Sequence, residues 1–105
     1  MNQNDGKKFD QDKPCVGSMA AHFSRALWEI SKLDTHGTKK YGADNLFCVE
    51  DGYRRYSDAA LRHFLLENIE IIDKETGLHH AVAVAWNSLA RLEILLREND
   101  LYKKG

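Results

Sequence analysis

Leu78-His79-His80-Ala81-Val82-Ala83-Val84-Ala85-Trp86-Asn87-Ser88-Leu89-Ala90-Arg91-Leu92-Glu93-Ile94-Leu95-Leu96-Arg97-Glu98 reads as one long helix. Leu78, Val82, Ala85, Leu89, Leu92 and Leu96 recur at near-heptad spacing, and Ala81, Ala83, Val84 and Trp86 widen that seam. From Ala81 to Trp86 the helix is apolar all round, the pattern of a central helix covered on several sides. His80, Asn87 and Arg91 form the polar line that remains, and on a buried helix each such group needs a partner. Two readings stand for His80: a core histidine satisfied by a carboxylate of the preceding helix, or a ligand or substrate-contacting role. His79 is expected to be exposed.

Before it lies the polar turn Asp73-Lys74-Glu75-Thr76-Gly77, and before that a second long helix. Ser57 is the expected N-cap of that helix, with Leu61, Phe64, Leu65, Ile69 and Ile72 as its buried face. Asp58 and Arg62 stand one turn apart and are expected to pair. His63, Glu67 and Glu70 fall at i, i+4 and i+7 and make a second stripe. Glu67-x-x-Glu70 sets two carboxylates about a turn apart, the oxygen-rich arrangement that Mg²⁺ takes with waters and substrate phosphates. The plainer reading is a solvated charged face. A transition-metal site from His63, His79 and His80 meets an obstacle. Adjacent helical side chains project about 100° apart, and no tetrahedral ligand set is visible.

Further upstream, Ser18 is the expected cap of a helix from about Met19 to Leu33, with Phe23, Ala26, Leu27, Ile30 and Leu33 on one face. Arg25, Glu29 and Lys32 fall on the other, as a solvated face. Gly37-Thr38-Lys39-Lys40-Tyr41-Gly42 is not a Walker A loop, because Ala43 and Asp44 follow the second glycine and no strand precedes the first. Its spacing favours a helical turn ended by Gly42 as a left-handed cap; the functional alternative has Lys39 or Lys40 on a phosphate. Asp44 to Tyr53 reads as a loop pinned to the core by Leu46, Phe47 and Val49.

The totals narrow the classes. The chain has 105 residues, 43% hydrophobic and 30% charged, which fits one globular domain. A net charge of −1 gives no field for duplex nucleic acid or an anionic membrane. No apolar run approaches the roughly 20 residues of a membrane span. The polar start, Met1 to Pro14, lacks a signal-peptide core, and Cys15 and Cys48 imply no disulfide framework. A cytoplasmic protein is expected.

Several pieces together resemble a known phage family. They are Lys8 to Pro14, Gly37 to Asn45, Arg55 to His63, Asp73 to His80, and Trp86-Asn87. The chain from about Lys8 to Leu96 looks like the domain at the N-terminus of dATP/dGTP diphosphohydrolases, with a more distant likeness to all-α pyrophosphatases of the MazG type. Three departures stand out. No second acidic pair follows Glu67 and Glu70. Leu46 follows Asn45 where an aromatic residue is frequent. Many members carry a further histidine shortly after the position of His80, where this chain has Ala83.

The resemblance implies an all-α fold: a small bundle of three to four helices, oligomeric, with an extended arm over residues 1–13. One helical domain would cover residues 14–98 and a frayed tail residues 99–105. It implies a Mg²⁺-dependent diphosphohydrolase acting on purine deoxynucleoside triphosphates, releasing the monophosphate and pyrophosphate. Asp58, Glu67, Glu70 and Asp73 are then the candidate metal ligands, and His63, His80 and Glu67 the candidate catalytic groups. Lys39, Lys40, Tyr41, Asn45, Arg62 and Asn87 are the candidate substrate contacts, with Tyr41, Tyr56 or Trp86 available to stack on the base. The rival expectation is a non-catalytic module that holds a nucleotide or inhibits a host protein.

Overall fold

The computed structural model describes residues 6–9 and 11–99. The expectations for residues 1–5, 10 and 100–105 lie outside those residues. Among the described residues four α-helices follow one another: α1 Val16–His22, α2 Ser24–Tyr41, α3 Gly52–Leu66 and α4 His80–Glu98. A 3₁₀ turn at Asn45–Phe47 links α2 to α3. Among the described residues there is no strand, only an isolated antiparallel bridge between Ile72 and His79. The fold is all-α, and among the described residues no helix is long and apolar enough to cross a membrane.

The expected central helix is α4. It packs chiefly against α3 and secondarily against α2, while α1 packs against α2. The α3–α4 register is antiparallel. Gly52 faces Ile94, Tyr53 and Ser57 face Arg91, Tyr56 faces Trp86 and His63 faces His80. Small residues allow the close approach. The buried hydrophobic core is Ala60, Val82, Ala83, Ala90 and Ile94. A Cβ at Gly52 would stand 3.0 Å from the Ile94 Cδ1.

Three boundaries depart from the sequence expectation. The first helix is longer than predicted and divided at Phe23, whose φ of −116° and ψ of 28° interrupt α1 from α2 without glycine or proline. It runs on through Gly37, since one helical glycine costs only about 1 kcal/mol. It stops at Gly42, whose φ of 92° is positive as expected. Its ψ of 159° lies in extended, nearly glycine-only space rather than the left-handed helical region.

The second departure concerns α3. It starts five residues before Ser57, with Asp51 at the N-cap position in the left-handed region at φ 57° and no capping bond from its side chain. Ser57 lies inside it and bonds the Tyr53 carbonyl at 2.6 Å. Third, α3 ends at Leu66, so Glu67 and Glu70 do not share a helix. Residues 67–79 form a connection tied by backbone bonds from Asp73 N–H to Leu78 C=O (2.8 Å) and from His80 N–H to Ile71 C=O (2.9 Å).

The faces of α3 also differ from expectation. Leu61, Phe64, Leu65, Ile69 and Ile72 are exposed, Ile69 by 81%. The inward positions are Gly52, Tyr56, Ala60 and His63, small or polar groups at helical spacing. Neither α1 nor α2 buries a residue, and Trp28 on α2 is 70% exposed.

Candidate functional site

The last turn of α3, the connection and the start of α4 meet around two histidines. His80, the first residue of α4, is 2% exposed, and its Nδ1 lies 2.9 Å from His63 Nδ1. The two rings are tilted by 37° with centroids 5.1 Å apart. The other nitrogen of His80, Nε2, is 3.2 Å from Glu70 Oε1. His80 therefore has the carboxylate partner that one sequence reading required, supplied by the connection rather than the helix. Asp73 completes the cluster. One ligand atom each from His63, Asp73 and His80 lie within 4.8 Å of one another. Asp73 is held by its own turn, where Oδ1 accepts the Glu75 N–H at 2.9 Å and its carbonyl accepts the Gly77 N–H at 2.8 Å. Gly77 has φ 75°, which the tight return needs. Burial pushes the His63 pKa down; Asp73 opposes that shift, while His80 and Arg62 add to it.

His63 and Asp73 open into a cavity of about 970 Å³ between α2, α3 and α4. That volume stands at the upper end of small-ligand sites. Lys40, Tyr41, Asn45, Asp58, Arg62 and Asn87 also line it, together with Tyr56 and Trp86. Thus α2 brings its C-terminal Lys40 and Tyr41 to the same space as the histidine cluster. Lys40 pairs with Glu75 at 2.8 Å and its ammonium stands 5.1 Å from the Tyr41 ring centroid. Hydrogen bonding to Glu75 pushes the Lys40 pKa up, so it stays charged. Arg62 pairs with Asp58 at 3.3 Å, as its spacing predicts. Asn87 is buried and donates to the Ala83 carbonyl at 2.8 Å. The Tyr56 and Trp86 rings meet edge to face at 5.7 Å.

The candidate metal ligands do not converge as a set. Asp73 is in the cluster, Glu70 stands behind His80, and Asp58 faces the cavity in its pair with Arg62. Glu67 follows the end of α3 and does not line the cavity; neither do Lys39, Glu70 or His80. Two cations that the sequence reading passed over, Arg54 and Arg55, do line it. Arg54 pairs with Asp51, while Arg55 makes no ion pair among the described residues. Their signal was available: Arg55, Asp58 and Arg62 fall at i, i+3 and i+7 on one helix.

This arrangement can do specific chemistry. It offers imidazole and carboxylate donors at one end of a cavity, cations along its wall, and aromatic rings beside them. Such a set suits a polyanion with a planar group.

Comparison with known proteins agrees with that reading. The family described as dATP/dGTP diphosphohydrolase, N-terminal, matches residues 3–104. A "dATP/dGTP diphosphohydrolase" of Salmonella phage PMBT28 is 37% identical over 81 residues, which is 76% of this chain and 26% of that relative. The match thus spans about a quarter of the curated relative's length. No solved structure matches the chain. With nearly its whole length covered by the family's pattern, the chain belongs to the dATP/dGTP diphosphohydrolase N-terminal family.

Proposed function

We propose that this chain handles the substrate of a diphosphohydrolase acting on purine deoxynucleoside triphosphates, releasing the monophosphate and pyrophosphate. One observation carries the reading: His63 and Asp73 line the same cavity as Lys40, Arg55 and Arg62. The triphosphate lies along the cations, which neutralise its charge and that of the departing pyrophosphate. Tyr41 and Tyr56 offer faces for the purine. A water attacks the α-phosphorus, and the bond from that phosphorus to the oxygen bridging to the β-phosphate breaks. His63, the more accessible of the two histidines, takes the proton from that water. Asp58 and Asp73 would hold a Mg²⁺ bound to the triphosphate, which would supply charge neutralisation there.

The test is to incubate the purified chain with Mg²⁺ or Mn²⁺ and each deoxynucleoside triphosphate, and to assay monophosphate and pyrophosphate. Turnover of dATP or dGTP, lost in His63→Gln, is the expected result. Thermal stabilisation by a nucleotide with no product at high protein concentration favours the second reading, a nucleotide-binding module. That reading has its own support, since the curated relative is several times longer than the matched stretch.

A further inference from the structure

We propose that His63, Asp73 and His80 form a resident site for a divalent first-row transition ion, with Glu70 as the positioning carboxylate behind it. Binding of the ion stands independently of the hydrolase reading; only its use in phosphate chemistry rests on that reading, and in the loaded site His63 would be a ligand and the ion, in place of a free imidazole, would acidify the attacking water.

The separations suit an ion. Two nitrogens each about 2.1 Å from an ion lie roughly 3.0 Å apart at a right angle and roughly 3.4 Å apart in a tetrahedron. The Nδ1 atoms of His63 and His80 are 2.9 Å apart. An Asp73 carboxylate oxygen completes a triangle whose atoms all lie within 4.8 Å of one another. Three protein ligands leave a position for water or a phosphate oxygen, as in catalytic rather than closed structural sites.

Proton placement favours the ion as well. Glu70 Oε1 stands 3.2 Å from His80 Nε2, so that nitrogen carries the proton and donates. The His80 Nδ1 then offers a lone pair toward His63. An ion accepts lone pairs from both rings, with the Asp73 carboxylate supplying negative charge. The donors are also held in place. His63 sits in the last turn of α3 and His80 opens α4. Asp73 is fixed by bonds to Glu75, Gly77 and Leu78. Ligands locked on packed elements and a tied turn need little rearrangement to bind.

The donor chemistry chooses the ion. Mg²⁺ takes oxygen ligands in a near-ideal octahedron and keeps several waters. Two imidazoles and a carboxylate suit Mn²⁺, Fe²⁺, Co²⁺, Ni²⁺ or Zn²⁺ better. The obstacle raised by adjacent histidines vanishes, because His79 is not in the set.

The experiment uses the chelator-treated chain without nucleotide. Co²⁺ binding is followed by its visible absorption, and Zn²⁺, Mn²⁺ and Mg²⁺ are compared by thermal shift. One Co²⁺ per chain is expected, with stabilisation by Zn²⁺ or Mn²⁺ exceeding that by equal Mg²⁺. His63→Gln and Asp73→Asn lose the Co²⁺ spectrum while circular dichroism shows them folded; the asparagine keeps the acceptor that holds the turn. Glu70→Gln weakens binding roughly 10- to 100-fold. The exposed neighbour His79→Gln binds as the parent does. Unchanged Co²⁺ affinity in His63→Gln and Asp73→Asn overturns the site, as does displacement of Co²⁺ by an equal concentration of Mg²⁺. Bound ion with no nucleotide turnover leaves the site standing and removes the hydrolase reading.

Discussion

The Trp86 Nε1–H donates to Asp34 Oδ1 at 3.1 Å, so a side chain of α4 holds α2 in place. Because α2 buries no residue, that polar tie matters more than it would in a thick interface. Through α2 it sets where Lys40 and Tyr41 meet the cavity. Trp86→Phe keeps a ring against Tyr56 but removes the donor and part of the indole's apolar area. The expected stability loss is at least about 1 kcal/mol, the ordinary net worth of one hydrogen bond. Nucleotide binding should weaken by more than that loss alone implies, since α2 loses its anchor. A urea midpoint paired with a nucleotide titration checks both; unchanged nucleotide affinity would refute the link.

The helical framework was legible because α4 carries two independent signals, a continuous apolar run and a polar line at His80, Asn87 and Arg91. Each member of that line has the partner its burial demands. Periodicity misled at α3, since it ranks faces by hydrophobicity and assumes the apolar one is covered. Here Leu61, Phe64 and Leu65 face outward, and the close approach of α3 to α4 is made by Gly52 and Ala60. The grouping of His63, Asp73 and His80 has no signature in spacing for a related reason. Glu67 and Glu70 were placed on a helix that ends at Leu66. Asp73 and His63 meet only because the connection folds back through the Ile72–His79 bridge, a non-local contact with no signature in spacing.

Arg91 joins α4 to α3 in three ways. Its Nε donates to Ser57 Oγ at 2.6 Å, its Nη2 donates to the Tyr53 hydroxyl, and its guanidinium stacks over the Tyr53 ring at 4.6 Å. Lysine cannot reproduce a planar fork that bonds in two directions while stacking. Arg91→Lys should therefore cost about 1 kcal/mol, discounted from a fully buried network because the group is half-exposed. Arg91→Met, which keeps the stem but no donor, should cost at least as much. Urea denaturation of both variants checks this; full rescue by lysine would show that charge alone matters.

Burial raises the Tyr56 pKa above its ordinary 10.0, with Arg55 opposing part of the effect. The folded state thus holds this proton to higher pH than the unfolded chain does. The sign follows from linkage: the contribution is fully present below about pH 10 and is lost as pH rises through the folded value. Stability should fall more steeply above about pH 10 in the parent than in Tyr56→Phe. Urea midpoints measured between about pH 8 and pH 11 test it. Parallel curves would mean that Tyr56 ionises as freely folded as unfolded.

Phe23 and Trp28 on α1–α2, and Leu61, Phe64 and Leu65 on α3, are large apolar groups facing outward. Outward apolar faces of this kind mark surfaces that another chain covers. A second copy covering these faces is the expected state of the isolated chain. Sedimentation at micromolar concentration should show a dimer that Leu61→Lys with Leu65→Lys dissociates. A monomer at all concentrations would refute the self-association.

Ala83 offers the sharpest probe of the histidine cluster. It lies one turn beyond His80 on α4, is buried, and lines the cavity that His63 and Asp73 also line. Ala83→His would add an imidazole at i+3 from His80, where side chains on a helix meet. Without an ion the larger group should destabilise by about 1–3 kcal/mol, the usual cost of overpacking. With saturating Zn²⁺ or Co²⁺ the sign should reverse. A ligand that binds only the folded state stabilises it in proportion to the logarithm of its affinity, and a fourth donor raises that affinity. The variant should therefore melt below the parent in chelator and above it in Zn²⁺, with Co²⁺ bound at least about tenfold more tightly, a gain worth roughly 1.4 kcal/mol. If Zn²⁺ shifts both proteins equally, position 83 does not face the ion, and the open ligand position points elsewhere in the cavity.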